Sequence, residues 1–181
     1  MRLTELPESY WEDPDVQRAL AAMLPEERRN PQGAGNALAM LVHHPKLTRV
    51  FLRFNVHLLY GSTLPADLRE LAILRTAYRR GCDYEWVHHV TMGKEAGLTD
   101  HDITELQHSV GRNEIYQAVL NAADELEEKS RLSADTEAVL AKYLDEKQLM
   151  DLVFTIGCYS MLAMAFNTFG VELDEKSESE R

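Results

Sequence analysis

Apolar residues recur at helical spacing through almost the whole chain, and proline and glycine mark where one run ends and another begins. Leu68, Leu71 and Ala72 lie on one face of a helix predicted over 66–80, which Gly81 ends. No useful length of sequence alternates apolar and polar residues as a half-buried strand does. The pattern therefore predicts an all-α protein, with no βαβ unit and no glycine-rich phosphate loop.

Capping residues and breakers locate the other helices in the same way. Asp13-Pro14 is typical of a cap followed by proline at the first helical position, and Asp145 is a second candidate cap. The segment 25–35 contains two prolines and two glycines close together, and it is predicted to be a loop. The remaining helices are predicted over 14–24, 36–44, 46–60, 83–96, a short stretch from 99, 113–129, 134–144 and 145 to about 169.

The length of 181 residues favours one domain with additions at its ends. We expect an N-terminal helical extension over 1–35, the domain itself over 36–173 and a polar tail over 174–181. The N-terminal segment has acids and proline where a signal peptide has an apolar core, and two cysteines are too few for a disulfide framework. A cytoplasmic location with reduced thiols is therefore expected.

The charge balance restricts the partners. The chain has 19 Lys and Arg against 30 Asp and Glu, for a net charge of -11. Nucleic acids and anionic membranes need a concentrated basic surface, so neither is expected as a partner.

One uncharged segment runs from Leu152 to Val171 and is long enough to cross a bilayer. Thr155, Ser160 and Asn167 interrupt it, and no basic residues flank it. We interpret it as a helix buried on most sides, either in the core or at a subunit interface.

Four side chains form the candidate site. Cys82, Glu85 and His89 stand at i, i+3 and i+7, which on a helix places them within roughly 60° of one another. Glu70 lies one helix upstream and could reach the same place if the two helices pack antiparallel. Cys82 near a helix N-terminus could be a stabilised thiolate, or simply a small buried apolar residue.

Glu85 and His89 also allow two interpretations. As an i, i+4 pair they could form a surface contact worth ~0.2–0.5 kcal/mol, or a coupled proton donor and acceptor near neutral pH. The neighbouring Tyr84 and Trp86 favour an enclosed site and therefore the second interpretation. No ligand spacing typical of a metal site occurs, so neither a metal nor another cofactor is expected.

Four short motifs in order resemble a known family. They are Leu64-Pro65, Arg69-Glu70-Leu71, Cys82-x-Tyr84-Glu85-Trp86-x-x-His89 and Gly97-Leu98-Thr99. This arrangement, over about 44–108, resembles the carboxymuconolactone decarboxylase family, which includes the alkyl hydroperoxidase D-like proteins. The resemblance implies an alkyl hydroperoxidase D-like helical bundle that assembles as a dimer, trimer or hexamer, and helix 152–169 is the expected interface.

The peroxidase branch of that family has a glutamate, eleven residues, a CxxC pair and a histidine four positions later. Glu70, Cys82 and His89 match this pattern, but Glu85 occupies the place of the second cysteine. The resemblance implies that a disulfide cannot form locally. A one-cysteine peroxidase would need an external thiol, or Cys158 brought close by the fold.

The decarboxylase branch lacks CxxC and is similar to this chain in having Glu and His on this helix. The implied chemistry needs no cofactor: a carboxylated γ-lactone loses carbon dioxide while an acid–base pair transfers a proton. His89 would then be the proton donor or acceptor, Glu85 its partner and Glu70 a second carboxylate. Cys82 would be a bystander or a wall of the pocket.

Three hypotheses follow for the function. The first is a lyase or proton-transfer enzyme acting on a small carboxylated lactone or related ring compound, with Arg75, Tyr84 and Trp86 at the substrate. The second is a thiol-dependent peroxidase that uses Cys82, and the third is a family member without catalytic activity.

Overall fold

The computed structural model describes residues 2–174, which form helices joined by loops and turns and contain no strand. The all-α prediction is confirmed for this part of the chain. Its ten α-helices are α1 (Glu8–Trp11), α2 (Pro14–Leu20), α3 (Pro31–Leu41), α4 (Pro45–Val56), α5 (Ala66–Arg80), α6 (Asp83–Glu95), α7 (Asp100–Glu105), α8 (Glu114–Lys129), α9 (Ala134–Leu140) and α10 (Glu146–Phe169).

The helix ends follow the capping chemistry in most places. Gly81 ends α5 in the left-handed conformation, with φ 57° and ψ 43°, which glycine adopts without a steric penalty. Thr99 and Asp102 form a reciprocal capping box at the start of α7. Asp145 opens α10, because its side chain accepts a hydrogen bond of 2.9 Å from the backbone N–H of Gln148.

The start of α3 corrects one prediction. Residues 31–35 were expected in a loop, but α3 begins at Pro31 because the Asn30 side chain accepts a hydrogen bond of 2.8 Å from the N–H of Gly33. Asn30-Pro31 thus has the same cap-then-proline pattern as Asp13-Pro14. Gly35 kinks the helix at φ 75°, and beyond the kink Asp174 accepts a hydrogen bond of 2.7 Å from the N–H of Asn36.

Other helix ends also differ from the prediction. The helices expected over 14–24 and 36–44 end at Leu20 and Leu41. The helix expected over 46–60 is α-helical as far as Val56 and continues as a single π-helical turn over His57–Gly61. The helix expected over 134–144 ends at Leu140, and the residues after it form a turn that leads to the Asp145 cap. Of the predicted tail, only Asp174 falls within the described residues.

Two compact units make up the chain, one from the residues up to Gly61 together with those from Phe166 onward, and one from Ser62 to Ala165. The core of the first contains Trp11, Val16, Leu20, Leu38 and Leu52. The core of the second contains Leu71, Leu74, Leu106, Leu120 and Ile156. All four predicted site residues lie in the second unit. The boundaries expected at 35 and 173 stay a prediction.

Helix α10 is divided lengthwise between core and surface. It is the one described helix whose length and composition would allow it to cross a membrane, with a mean hydropathy of 1.7 over a window that is 50% buried. Tyr159 lies on its buried side, while Met150, Met161 and Met164 are exposed. Within one chain the uncharged run is therefore buried along one side, and its burial at a subunit interface stays a prediction. The cytoplasmic location stays a prediction.

Candidate functional site

The site is built on the antiparallel hairpin of α5 and α6. Gly81 reverses the chain between them, so residues before and after it come to lie side by side. Gly93 allows the helices to approach closely, because a Cβ there would lie 3.2 Å from the Leu74 Cδ1 and 3.7 Å from the Glu70 Cβ. A larger residue at this position would push α6 away from Glu70.

Glu70 and His89 form a buried ion pair across this hairpin, as the antiparallel packing requires. Glu70 is 0% exposed, and its Oε2 lies 2.6 Å from Nδ1 of His89. Its other oxygen, Oε1, accepts a hydrogen bond of 3.0 Å from Nε of Arg69. A carboxylate accepts hydrogen bonds, so this contact suits a His89 ring that donates from Nδ1, and in the neutral ring Nε2 is then the acceptor. Glu70 therefore fixes both the orientation of the ring and its tautomer.

Tyr159 holds the same histidine from the side of α10. Its ring meets the His89 ring edge-on, with centroids 4.8 Å apart and planes at 88°. This geometry is favourable because the positive edge of one ring faces the negative face of the other. Sequence spacing gave no signal for this contact, since it depends on how a distant helix packs.

Glu85 is buried without the partners that Glu70 has. It is 2% exposed, and neither of its carboxylate oxygens has a hydrogen-bond partner among the described residues. Burial raises the pKa of Glu85 to about 8, while the nearby Cys82 thiol lowers it but does not outweigh burial. The side chain is thus mainly a neutral acid at neutral pH and can release its proton just above it.

Cys82 lies one residue before the first turn of α6 and is 2% exposed. Burial, followed by the adjacent Glu85 carboxyl, raises the pKa of the thiol to about 12. The thiol is therefore protonated at neutral pH, and the helix N-terminus does not stabilise a thiolate as one interpretation of the sequence suggested. Cys82 and Cys158 are both buried thiols, and neither is in a disulfide among the described residues.

A cavity of about 290 Å³ opens beside the thiol. Trp86 and Tyr78 provide aromatic walls, with ring centroids 5.8 Å apart and planes at 53°. Cys82 lines this cavity, and the Glu70–His89 pair and Glu85 do not. The remaining lining residues are Ala77, Gly81, Asp83 and Gln107.

Arg75, predicted to bind the substrate, makes other bonds. Its guanidinium donates to both carboxylate oxygens of Asp124 at 2.7 and 3.0 Å, and to the carbonyl oxygens of Leu106 and Gln107 at 2.8 and 2.9 Å. These bonds join α5 to α8 and leave the charge neutralised. Substrate binding by Arg75 stays a prediction that this network does not favour.

Tyr84 is half-buried and stacks on His88, with ring centroids 4.2 Å apart. It does not line the cavity beside Cys82, whereas Trp86 does. Within residues 2–174, no group of three or more His, Cys, Asp or Glu side chains is arranged to hold a metal ion.

Comparison with known proteins gives three results. Residues 45–128 match the carboxymuconolactone decarboxylase family. A search of curated proteins gives no match. Among solved structures, the fold is similar to a crystal structure described as an alkylhydroperoxidase AhpD core, an uncharacterized peroxidase-related protein from Ralstonia eutropha JMP134. The TM-score is 0.77 at 18% identity, over 96% of this chain and 92% of that chain.

These results confirm the resemblance and the predicted helical architecture. The matched segment contains the whole α5–α6 hairpin with Glu70, Cys82, Glu85 and His89. Residues 45–128 are thus similar to the carboxymuconolactone decarboxylase family, and the fold of the chain is similar to that of the AhpD-core protein.

Proposed function

We propose that this protein is a cofactor-free enzyme that transfers protons on a small ring compound, with carboxylated lactones as the substrate class suggested by the family. The observation that carries the proposal is the presence of two different acid–base groups on α6. His89 has a fixed tautomer with a proton-accepting Nε2, and Glu85 is a buried acid whose pKa is raised to about 8. Groups that titrate near the working pH are the most effective general acids and bases.

The two groups have separate roles. Glu85, protonated at neutral pH, supplies a proton to the substrate. In the decarboxylation of a lactone, the bond between the ring carbon and the carboxylate breaks, carbon dioxide leaves, and the electron pair is delocalised toward the lactone carbonyl. The Glu85 proton then adds to a ring carbon, and Glu85 regains a proton from water. His89 Nε2 accepts protons in the enolisation of related ring compounds, while Glu70 holds the imidazole of His89 in place.

The cavity beside Cys82 supplies a place for such a ring. Trp86 and Tyr78 present flat apolar surfaces, and the protonated Cys82 thiol is a poor nucleophile at neutral pH. Cys82 is therefore assigned as a wall of the cavity next to Glu85, not as the reacting group.

The proposal can be tested with two reaction readouts and three variants. Carbon dioxide release from carboxylated γ-lactones, and deuterium uptake from solvent into related lactones, are measured for the wild type, Glu85→Gln, His89→Gln and Cys82→Ser. Removal of a general acid or base lowers kcat by about 10²–10⁴-fold, so we expect this loss for the first two variants. Cys82→Ser should retain activity within a few-fold, and its complete inactivation would overturn the assignment.

A second candidate function is thiol-dependent peroxide reduction, favoured because Cys82 is the site residue that lines the cavity. There Glu85 would take the thiol proton, the sulfur would attack the peroxide, and the O–O bond would break to leave sulfenic acid and an alcohol or water. An external thiol would then reduce the sulfenic acid. Hydroperoxide consumption that needs added thiol and disappears in Cys82→Ser would establish this function instead.

A further inference from the structure

Arg69 has no role in the function proposed above, although it is part of the same hydrogen-bonded arrangement. Its side chain is 14% exposed, and its Nε donates a hydrogen bond of 3.0 Å to Oε1 of Glu70. The other carboxylate oxygen of Glu70 lies 2.6 Å from Nδ1 of His89. The Glu70 carboxylate thus joins a guanidinium on one side to an imidazole on the other.

The ion pair of Arg69 differs from those of the other arginines of α5. Arg75, Arg79 and Arg80 each pair with a carboxylate of α8, and these pairs connect the two helices. Arg69 pairs with the next residue of its own helix, so its ion pair connects no two elements. Taking a cation largely out of water is costly. The packing of helices does not explain this cost at Arg69, and a role at the site does.

The balance of charges shows what Arg69 changes at His89. While Arg69 is present, its charge offsets that of the Glu70 carboxylate, and a proton added to the His89 ring leaves a net positive charge in a buried place. If Arg69 were neutral, the same added proton would instead offset the Glu70 charge. Burial disfavours an uncompensated charge. Arg69 therefore opposes the uptake of a proton by the Glu70–His89 pair.

In the described part of the chain, the other titratable groups that face the ring do not supply a charge at neutral pH. Glu85 lies one turn before His89 on α6, and its raised pKa of about 8 keeps it mainly neutral. Tyr159 on α10 meets the ring edge-on, and a tyrosine hydroxyl is ordinarily neutral up to about pH 10. The charge of Arg69 is therefore the one that balances Glu70.

An extra proton on the pair would abolish the base. If His89 took it, the ring would carry protons on both nitrogens. If Glu70 took it, the carboxyl would donate to Nδ1, and the proton of the neutral ring would lie on Nε2. We propose that Arg69 is a positioning residue that keeps the Glu70 carboxylate ionised, so that Nε2 of His89 stays free to accept a proton. This role rests on the proposed function, in which that nitrogen is the base.

The first test follows the protonation of His89 without any substrate. Nitrogen-15 NMR of protein labelled at the histidine rings, with His89→Gln to assign the signal, records the titration in the wild type and in Arg69→Gln. The midpoint should move to higher pH in Arg69→Gln by about 1 unit, the lower end of the ~1–3 units by which a charge about 4–6 Å away shifts a titration. An unchanged midpoint would overturn the proposal.

Two further variants are the controls. Arg69→Lys keeps the charge and should keep the midpoint close to that of the wild type. Arg79→Gln removes the same charge from the same helix, at a pair with α8, and should leave the midpoint unchanged. A shift in either control as large as that in Arg69→Gln would overturn the proposal. Circular dichroism should report the same helix content in all variants, and an unfolded Arg69→Gln would assign Arg69 to the fold instead.

The second test uses the pH profile of deuterium uptake into lactones. The rate rises with pH as the base loses its proton, so this limb should move to higher pH in Arg69→Gln by the same amount as the NMR midpoint. Below both midpoints, a shift of 1 unit lowers the rate about 10-fold, and raising the pH should restore it. An equal loss at every pH would mean that Arg69 only supports the structure, and would overturn the proposal.

The two tests separate this role from the proposed function. A wild type that exchanges no deuterium and releases no carbon dioxide would defeat the proposed function, while the NMR titration would still decide whether Arg69 controls the proton on His89. An active wild type whose His89 titrates identically in Arg69→Gln would defeat the role of Arg69 alone.

Discussion

Glu70 and Glu85 are both buried glutamates of the same hairpin, but their surroundings differ. Glu70 has a hydrogen-bond partner for each oxygen, His89 at 2.6 Å and Arg69 at 3.0 Å. Glu85 has none within the described part of the chain. The partners of Glu70 replace the water that burial removes, whereas Glu85 has no such partners, and burial favours the form that holds its proton. The comparison separates Glu70, which orients the His89 ring, from Glu85, which can exchange a proton.

Replacing each glutamate by leucine should therefore have very different effects, and Glu70→Leu should be the larger. It leaves the Arg69 charge and the His89 Nδ1 donor without their partner, which typically costs about 3–5 kcal/mol of the free energy of unfolding. Urea unfolding at neutral pH measures this loss. Glu85→Leu is the matched control, because it removes a carboxyl group that had no partner. An equal loss in both variants would remove the distinction between the two residues.

Cys82 should be unreactive at neutral pH, because burial beside Glu85 keeps its thiol protonated. A thiol pKa of about 12, against 9.0 for an ordinary cysteine, lowers the thiolate fraction at neutral pH by about 10³-fold. Alkylation by iodoacetamide, followed by mass spectrometry, should be slower than that of a model peptide by at least this factor. Its rate should continue to rise with pH up to pH 10. A plateau near pH 7 would mean that the site stabilises the thiolate and would favour the peroxidase function.

The pH dependence of stability should reveal Glu85. The folded pKa of Glu85 is about 8 and its ordinary value is 4.5, so the unfolded chain loses this proton first as pH rises. The free energy of unfolding should therefore fall between these two pH values, by at most about 1.4 kcal/mol per pH unit. It should become independent of this group above pH 8. In Glu85→Leu this contribution should be absent, and an unchanged pH slope would contradict the raised pKa.

Tyr159→Leu should have the smallest effect. It removes the edge-to-face contact with His89 but leaves the Glu70–His89 pair intact, and such ring pairs contribute about 0.5–1.5 kcal/mol beyond their buried area. Thermal unfolding measures the loss. If the loss matched that of Glu70→Leu, α10 and not Glu70 would be the main support of the histidine ring.

Much of the hairpin could be predicted from the sequence, because its signals are local. Gly81 ends α5, and Glu70 stands where an antiparallel return brings it to His89. The start of α3 was missed, although Asn30-Pro31 has a cap pattern that the sequence contains. Sequence motifs matched Glu70, Cys82, Glu85 and His89 to a family, but they could not indicate how each side chain is solvated.

The properties that sequence could not supply depend on tertiary packing. Arg75 was a candidate for binding an anion, but it forms an ion pair with Asp124, which lies on α8, 49 positions further along the chain. Cys82 was expected to be either activated or inert, and the choice rests on burial beside Glu85. The contact of Tyr159 with His89 depends on the packing of α10, for which neither residue carries a local signal.

The central claim is that Glu85 keeps its proton at neutral pH, and its own titration tests this most directly. Carbon-13 NMR of protein labelled at the glutamate side-chain carboxyl, with Glu85→Gln to assign the signal, follows that one group as pH is raised. A midpoint near the predicted pKa of about 8 would support Glu85 as the proton donor. A midpoint near the ordinary 4.5 would show an ionised carboxylate at neutral pH and contradict the account.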